Sequence, residues 1–470
     1  MKIARSLIAF LFLAATFTYA QKEHALPKEL PPYGPLAPVR APEVKTIQFE
    51  NGLTVWIVSR SGFPKATVEL VVRGGLAADP KDRPGIAEVL ANAVTQGTKA
   101  RTARQIAEQI QAAGGDLSAS ATRDGIIVST SVLADEFTQA LPVLADVAAN
   151  ASFPDNEVAI AKRNVNDSLR QNEADPTFLA NRALAKEIFG DHPYSVVSPT
   201  HASIEQTTPT ELRQEFARRF QPRQALLIVV GPLSASEAEG AVRKAFESWK
   251  AGQGSAVPET PKPEMKFVHS VFLVPRPGSV QTTLGLGFSG PRRRDPDYEA
   301  AQTANAVFGG MFGSRLTLNI REDKGYTYSP GSALRTYRQA GFFSTQADVR
   351  NAVTGASFNE MTYELNRMAT VAPTETEMTQ ARRFLVGLLA IGLQSGAGLA
   401  NQLTSYWVDG LPPEEIGKHS ERLEKASPEE VAAAARKYFS AARATVTAVG
   451  EEKVVKQELE PFGLEVKQVE

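Results

Sequence analysis

Two stretches of the chain, TPTELRQEFARRFQPRQALLIVVG at Thr208–Gly231 and SPEEVAAAARKYFSAARATVTAVG at Ser427–Gly450, line up without a gap. Each opens on Ser/Thr-Pro, where the hydroxyl can cap a helix and proline's fixed φ suits the first turn. Each leaves its helix at an aromatic, Phe220 or Phe439, and enters a β run that closes on glycine. Pro154 and Pro373 stand at the same offset, each opening a long polar helix. A register held over such separations predicts a tandem duplication. The expected fold is α+β: two structurally related domains, each an antiparallel-rich sheet packed with helices, facing across a cleft.

Local patterns fill in the first half. Ile47 and Phe49 alternate with polar residues, Asn51-Gly52 supplies a hairpin turn, and Leu53, Val55 and Ile57 alternate again. A strand follows at Ala66–Gly75, then a helix in GIAEVLANAVTQGT and a second in TARQIAEQIQAAGG, which stops at Gly114. Strand-like ASATRDGIIVSTSVL and a helical region from Ala134 to about Phe189 complete it. GQGSAVPETPKPEMK at Gly252–Lys266 reads as a linker, beyond which strands SVFLV and TTLGLGF, a helix Tyr298–Val307 and further helices repeat the plan. The expected boundaries are 44–250 and 268–470 for the domains and 251–267 for the linker.

Composition narrows the partners. The 51 basic and 52 acidic side chains nearly cancel, which argues against nucleic acid or an anionic membrane surface. There is no cysteine, so disulfides, thiolate metal sites and cysteine catalysis are excluded. Residues 1–20 carry Lys2 and Arg5, a short apolar run, and Thr18 and Ala20 at the −3 and −1 positions of a cleavage site. This is the pattern of a secretory signal peptide, and it predicts export to the periplasm or outside the cell. Six prolines within residues 21–43 predict an extended arm.

In the helix of GIAEVLANAVTQGT, Glu88, Ala91 and Asn92 stand at i, i+3 and i+4 and share one face. With GGLAADPKDRP before it and GGDLSASATRDG after it, this region resembles the N-terminal signature of the pitrilysin/insulinase family, which includes mitochondrial processing peptidase. Gly85, Ile86, Ala87, Gly97, Thr98, Gly114 and Gly115 fall in place. In that family the motif reads H-x-x-E-H: two zinc-binding histidines around a glutamate that activates the metal-bound water. Here the histidine positions hold Glu88 and Asn92, and the base position holds Ala91. The family's third ligand is a glutamate shortly before an acidic-Pro turn. Aligning on Ala174-Asp175-Pro176 puts Ser168 there, beside Asp167. Such a set suits a hard cation better than zinc and lacks a proton acceptor. The five histidines, His24, His192, His201, His269 and His419, stand apart from one another, and His192 reads as a loop residue with structural hydrogen bonds.

In the second half, FGGMFGSRLTLNIREDKGYTYSPGSA resembles the family's C-terminal signature, which carries an Arg and a Tyr that grip substrate backbone across from zinc. Those positions are Arg321 and Tyr328. A guanidinium fork and a phenol can hold peptide carbonyls and a developing oxyanion. Two plainer roles stay open: Arg321 favouring its helix C-terminus ahead of Gly325, and Tyr328, like Tyr326, half-buried in a strand. Gly309-Gly310 either lets a peptide pass closely or is a packing turn.

The resemblance implies a metal-free subunit of an exported heterodimeric metallopeptidase. It would bind peptide through Arg321 and Tyr328, hold no cofactor of its own, and serve zinc held by an H-x-x-E-H partner. Alternatives are a peptide-binding or scaffold protein without proteolytic role, and a self-sufficient metallopeptidase with a non-standard site at Glu88.

Overall fold

The computed structural model describes residues 34, 39–250 and 256–469. The expected signal peptide, most of the proline-rich arm and the first part of the linker lie outside these residues. Two six-stranded sheets carry the fold. The first contains β1 (Lys45–Gln48), β2 (Thr54–Ser59), β3 (Lys65–Arg73), β4 (Leu117–Ala121), β5 (Gly125–Leu133) and β6 (Ala225–Gly231), in the order β1-β2-β6-β3-β5-β4. The second contains β7 (Val271–Pro275), β8 (Gln281–Ser289), β9 (Gly331–Tyr337), β10 (Ala340–Arg350), β11 (Thr445–Gly450) and β12 (Val466–Gln468), in the order β12-β7-β11-β8-β10-β9.

The two orders superimpose, and the duplicated stretches supply the matching inner strands. β6 lies parallel to β2 and antiparallel to β3, while β11 lies parallel to β7 and antiparallel to β8. The halves differ at one edge. In the first sheet that edge is β1, antiparallel to β2 through the Asn51-Gly52 hairpin; in the second it is β12, parallel to β7 and drawn from the chain's far end. Both aligned helices, Pro209–Arg219 and Pro428–Tyr438, begin with capping boxes, at Thr208 with Glu211 and at Ser427 with Glu430.

Some boundaries differ from the sequence reading. ASATRDGIIVSTSVL is a hairpin of β4 and β5, and the region after Ala134 holds three separate helices, Phe137–Asn150, Asp155–Ala174 and Pro176–Phe189. Asp175 caps the last of these ahead of Pro176, which breaks the rod there. The Tyr298 helix ends at Asn305 and loosens into a π-turn, Ala306–Gly310. A Cβ on Gly309 would stand 2.9 Å from that of Ser332, and one on Gly310 would stand 2.8 Å from the Asn305 amide, so this is a packing turn.

Residues Val39–Glu470 form one compact unit, and its halves exchange equivalent helices. One face of the first sheet buries Val55, Val68, Leu70, Val128 and Leu227 against helices of its own half. Its other face, with Trp56, Val58, Ile228 and Val230, packs on Leu399, Ala400, Leu403 and Tyr406 of the Gly396–Asp409 helix. Reciprocally, the Pro176–Phe189 helix lies on the second sheet. There Ala180 and Ala183 meet Val274 and Val449, and the side-chain-free positions Gly285 and Gly287 admit Ala180, Leu184 and Ile188. These exchanged helices put the two halves in direct contact, and a cavity lined by residues of both opens at their junction.

Candidate functional site

The Ile86–Val94 helix is held at its start by an acid-base knot. Gly85 precedes it with φ of 82°, and a Cβ there would stand 2.3 Å from Pro199 Cα. Replacing Gly85 with alanine is therefore expected to lower stability by about 2 kcal/mol, read from urea unfolding, by forcing this left-handed turn off Pro199. Asp79 accepts the N–H groups of Gly85 at 2.7 Å and Ala87 at 3.3 Å. Its own counter-ion is Arg219, fully buried, at 2.7 Å. Arg219 also bonds Glu215 at 2.8 Å and donates to the carbonyls of Gly74 and Gly75. Burial pushes the Asp79 carboxyl up to about 6 even with Arg219 drawing it down.

Downstream of this knot come the three metal-motif positions. Ala91 is 1 % exposed and belongs to the first core cluster, so the base position now contributes a methyl group to packing. Asn92 turns back and donates from Nδ2 to the Glu88 carbonyl at 3.1 Å. Glu88 is half-buried; burial raises its pKa, nearby Asp79 adds to that, and Arg123 opposes both. On the facing Asp155–Ala174 helix, Ser168 and Asp167 are exposed, and Asp167 pairs with Arg170 at 3.1 Å. Buried Asn166 on the same helix links His201 at 2.7 Å and Glu205 at 2.8 Å, and His201 reaches Glu173 at 3.0 Å. Among the described residues no three His, Cys, Asp or Glu side chains are grouped to hold a metal ion. Zinc needs at least three donors of those kinds, and one carboxylate, a committed amide and a methyl do not fit it.

The second cluster is built differently. Ser314 caps the short helix Arg315–Thr317, which continues as a wider π-turn, Leu318–Asp323. Arg315 anchors that segment with a bidentate pair to Glu377, at 2.6 and 2.9 Å, and bonds the carbonyls of Val371 and Ala372. Burial would raise the Glu377 carboxyl, but Arg315 and the Thr374 backbone hold it at about 2. Gly325, with φ of 63°, then turns the chain, its N–H bonding the Arg321 carbonyl at 3.1 Å.

Arg321 and Tyr328 come together. The guanidinium lies 4.6 Å from the Tyr328 ring centroid and 4.6 Å from that of Phe312, in cation–π contact with both rings. Tyr328 is 80 % and Phe312 66 % exposed, and neither they nor Tyr326 lies in a strand. The half-buried-strand reading of Tyr326 and Tyr328 is thus corrected, because the loop after Gly325 carries both. Arg321 does end its helix beside Gly325, and its side chain also pairs with Glu322 at 3.3 Å. Sequence reasoning missed Phe312; a phenylalanine inside a Gly-rich motif carries no mark of being exposed.

His192, in its loop, accepts the Tyr194 N–H at Nδ1 and meets the Pro261 carbonyl at 2.9 Å. His419, buried, pairs with Glu299 at 2.9 Å. Both serve structure.

Duplicated sheet-and-helix halves, a substituted metal helix in the first and an arginine held against aromatics in the second define a protein built on a metallopeptidase plan. Comparison with known proteins agrees. Residues 54–197 match the family model described as insulinase, peptidase family M16, and residues 206–385 match the one described as the peptidase M16 inactive domain. The chain belongs to this insulinase family. An uncharacterized zinc protease of Rickettsia felis is 25% identical over 374 residues, covering 78% of this chain and 89% of that one. One of Bacillus subtilis is 26% identical over 359 residues, covering 75% and 85%. Among solved structures, a peptidase M16 inactive domain from Pseudomonas fluorescens matches with a TM-score of 0.81 and 25% identity, over 91% of this chain and all of that one. A protease from Helicobacter pylori has the same fold, with a TM-score of 0.81 at 17% identity over 87% of this chain.

Proposed function

We propose that this chain is the non-catalytic, substrate-binding subunit of an exported heterodimeric zinc metallopeptidase of the insulinase family. In this reading it supplies Arg321 and Tyr328 to the zinc site of an H-x-x-E-H partner. The observation that carries it is the contrast between the two clusters. Ala91 has become core and Asn92 bonds its own helix, while Arg321 is held by Phe312 and Tyr328 on an exposed surface. A structural arginine at a helix end needs no pair of exposed aromatics. A guanidinium held against two rings has its torsions restrained before substrate arrives, so less entropy is lost when it takes a peptide carbonyl.

The test is cleavage of an unstructured peptide by the chain alone, by an H-x-x-E-H relative alone, and by the two co-expressed. The lone chain is expected to be inactive and the pair active. Arg321→Ala should lower kcat/KM of the pair about tenfold to hundredfold, and Tyr328→Phe by less. Chelator-sensitive cleavage by the lone chain would overturn this reading. An active pair indifferent to both substitutions would leave the chain a scaffold.

A further inference from the structure

A cavity of about 450 Å³ opens where the two halves meet, away from the Arg321 cluster. Its walls come from the start of β2, the end of β3 and the residues after it, the β4–β5 turn, Arg223 and Gln224 with the start of β6, residues 256–260, the β9–β10 turn and the end of the Gly396–Asp409 helix. That volume suits a small molecule or the end of a peptide. Four arginines line it, Arg73, Arg123, Arg223 and Arg338, against two acids, Asp124 and Glu259.

Both acids are already engaged. Glu259 takes Arg338 Nε at 3.0 Å and Gln339 Nε2 at 2.9 Å. Asp124 takes the Arg338 N–H at 3.0 Å and the Tyr194 hydroxyl at 2.8 Å. Arg338 itself completes its contacts on the Val408 carbonyl at 2.8 Å. What remains is positive charge with few acceptors. The Arg73 guanidinium has no hydrogen bond or ion pair among the described residues; it lies 4.7 Å over the Trp407 ring. Arg123 keeps a buried Nε with no partner and makes one long bond, 3.4 Å, to the Val197 carbonyl; Glu88 and Asp124 act on it through space, and its guanidinium lies 5.7 Å from the Tyr337 ring centroid. Burial and the Arg338 charge both press on Arg73, and only the weaker attraction of Glu259 opposes them. Guanidinium groups gathered around a pocket with too few anions are costly unless something negative completes them.

We propose that this cavity binds a small ligand through an oxyanion, a carboxylate or a phosphate, held by Arg73 and Arg123 with the Trp407 indole backing Arg73. The fork of a guanidinium matches either group with two parallel hydrogen bonds. The assignment does not depend on the peptidase reading, since it concerns none of the residues placed in that site.

The experiment is calorimetric titration and thermal unfolding of the full chain in low-salt buffer at pH 7.5. The probes are inorganic phosphate, an N-acetyl dipeptide with a free C-terminal carboxylate, and the same dipeptide as its amide. Binding of phosphate or of the dipeptide acid, with the amide at least about tenfold weaker than the acid, supports the site and tells the two sources apart. Arg73→Gln and Arg123→Gln should each weaken that binding about tenfold or more. Arg73→Lys, which keeps the charge, should weaken it less. The ligand-free melting temperature of Arg73→Gln should change little, because the substitution removes a half-buried charge that has no hydrogen bond or ion pair among the described residues; this separates lost binding from lost folding. No saturable binding of phosphate or the acid below about 10 mM overturns the proposal, as does affinity unchanged in both glutamine variants.

Discussion

Replacing Arg219 with alanine is expected to cost about 3–5 kcal/mol of folding stability, the range for removing one partner of a buried, hydrogen-bonded charge network. Arg219 is fully buried and satisfies Asp79, Glu215 and the carbonyls of Gly74 and Gly75 at once. Without it Asp79 loses its counter-ion while keeping its burial. The Asp79 carboxyl, at about 6 in the native protein against an ordinary 3.8, would rise further. The sign of the pH dependence follows. A carboxyl whose folded pKa is raised binds a proton more readily folded than unfolded, so its penalty grows as pH climbs from the unfolded value through the folded one. The deficit of Arg219→Ala should therefore be larger at pH 8 than at pH 5. Arg219→Lys keeps the charge but not the fork, and should fall between. Urea unfolding at the two pH values reads all of this. A loss under about 1 kcal/mol at pH 8 would mean that water reaches Asp79 and the knot is not what holds the Ile86–Val94 helix.

That helix shows how far sequence reaches. Its apolar rhythm marked a packed helix, and Ile86, Val89, Leu90 and Val94 are buried. The duplication was legible too, because strands at matching offsets have to occupy matching places in a sheet; β6 and β11 do so down to their parallel and antiparallel neighbours. The knot behind the helix was not legible. In the sequence Arg219 is one of two arginines closing an exposed-looking helix, and Asp79 lies far upstream. Arg219 and Glu215 are i, i+4 neighbours on one helix, but only the tertiary fold brings Arg219 to Asp79, and no local period records that contact. The exchanged helices were hidden for a related reason. An apolar stripe says that a face is buried, not which sheet buries it, so Pro176–Phe189 and Gly396–Asp409 read as members of their own halves. Arg321 and Tyr328 match positions of the family resemblance, whereas the third member, Phe312, shows its place only in the folded loop. The arginine-lined cavity is likewise assembled from seven separate segments.

Glu69, in β3, gives the other large effect. In ATVELVVRGG it is the polar residue of an apolar strand, the kind that ordinarily faces water. Instead it is 2 % exposed on the side of β3 covered by the exchanged Gly396–Asp409 helix, where Thr404 donates to its carboxylate at 2.7 Å. Burial pushes its carboxyl up from 4.5 to about 7, with the Thr404 hydrogen bond opposing. Below the unfolded pKa the group is protonated in both states and stability is unaffected by it. Between 4.5 and about 7 the unfolded chain ionises first, and stability falls as pH rises. Above that range the full penalty, about 3 kcal/mol for a shift of this size, stands against the contact between the halves. Glu69→Gln keeps the shape and removes the charge. It should change stability by less than about 0.5 kcal/mol at pH 4.5 and raise it by about 2–3 kcal/mol at pH 8.5. Thr404→Val takes away the hydrogen bond that opposes the shift, so it should raise the Glu69 pKa further and steepen the wild-type decline. Unfolding curves for the three proteins across this range measure both slopes. A gain from Glu69→Gln that is the same at both ends would show that the residue acts through packing alone. If the gain instead tracks pH, one buried carboxylate sets how tightly the two halves hold together in alkaline solution.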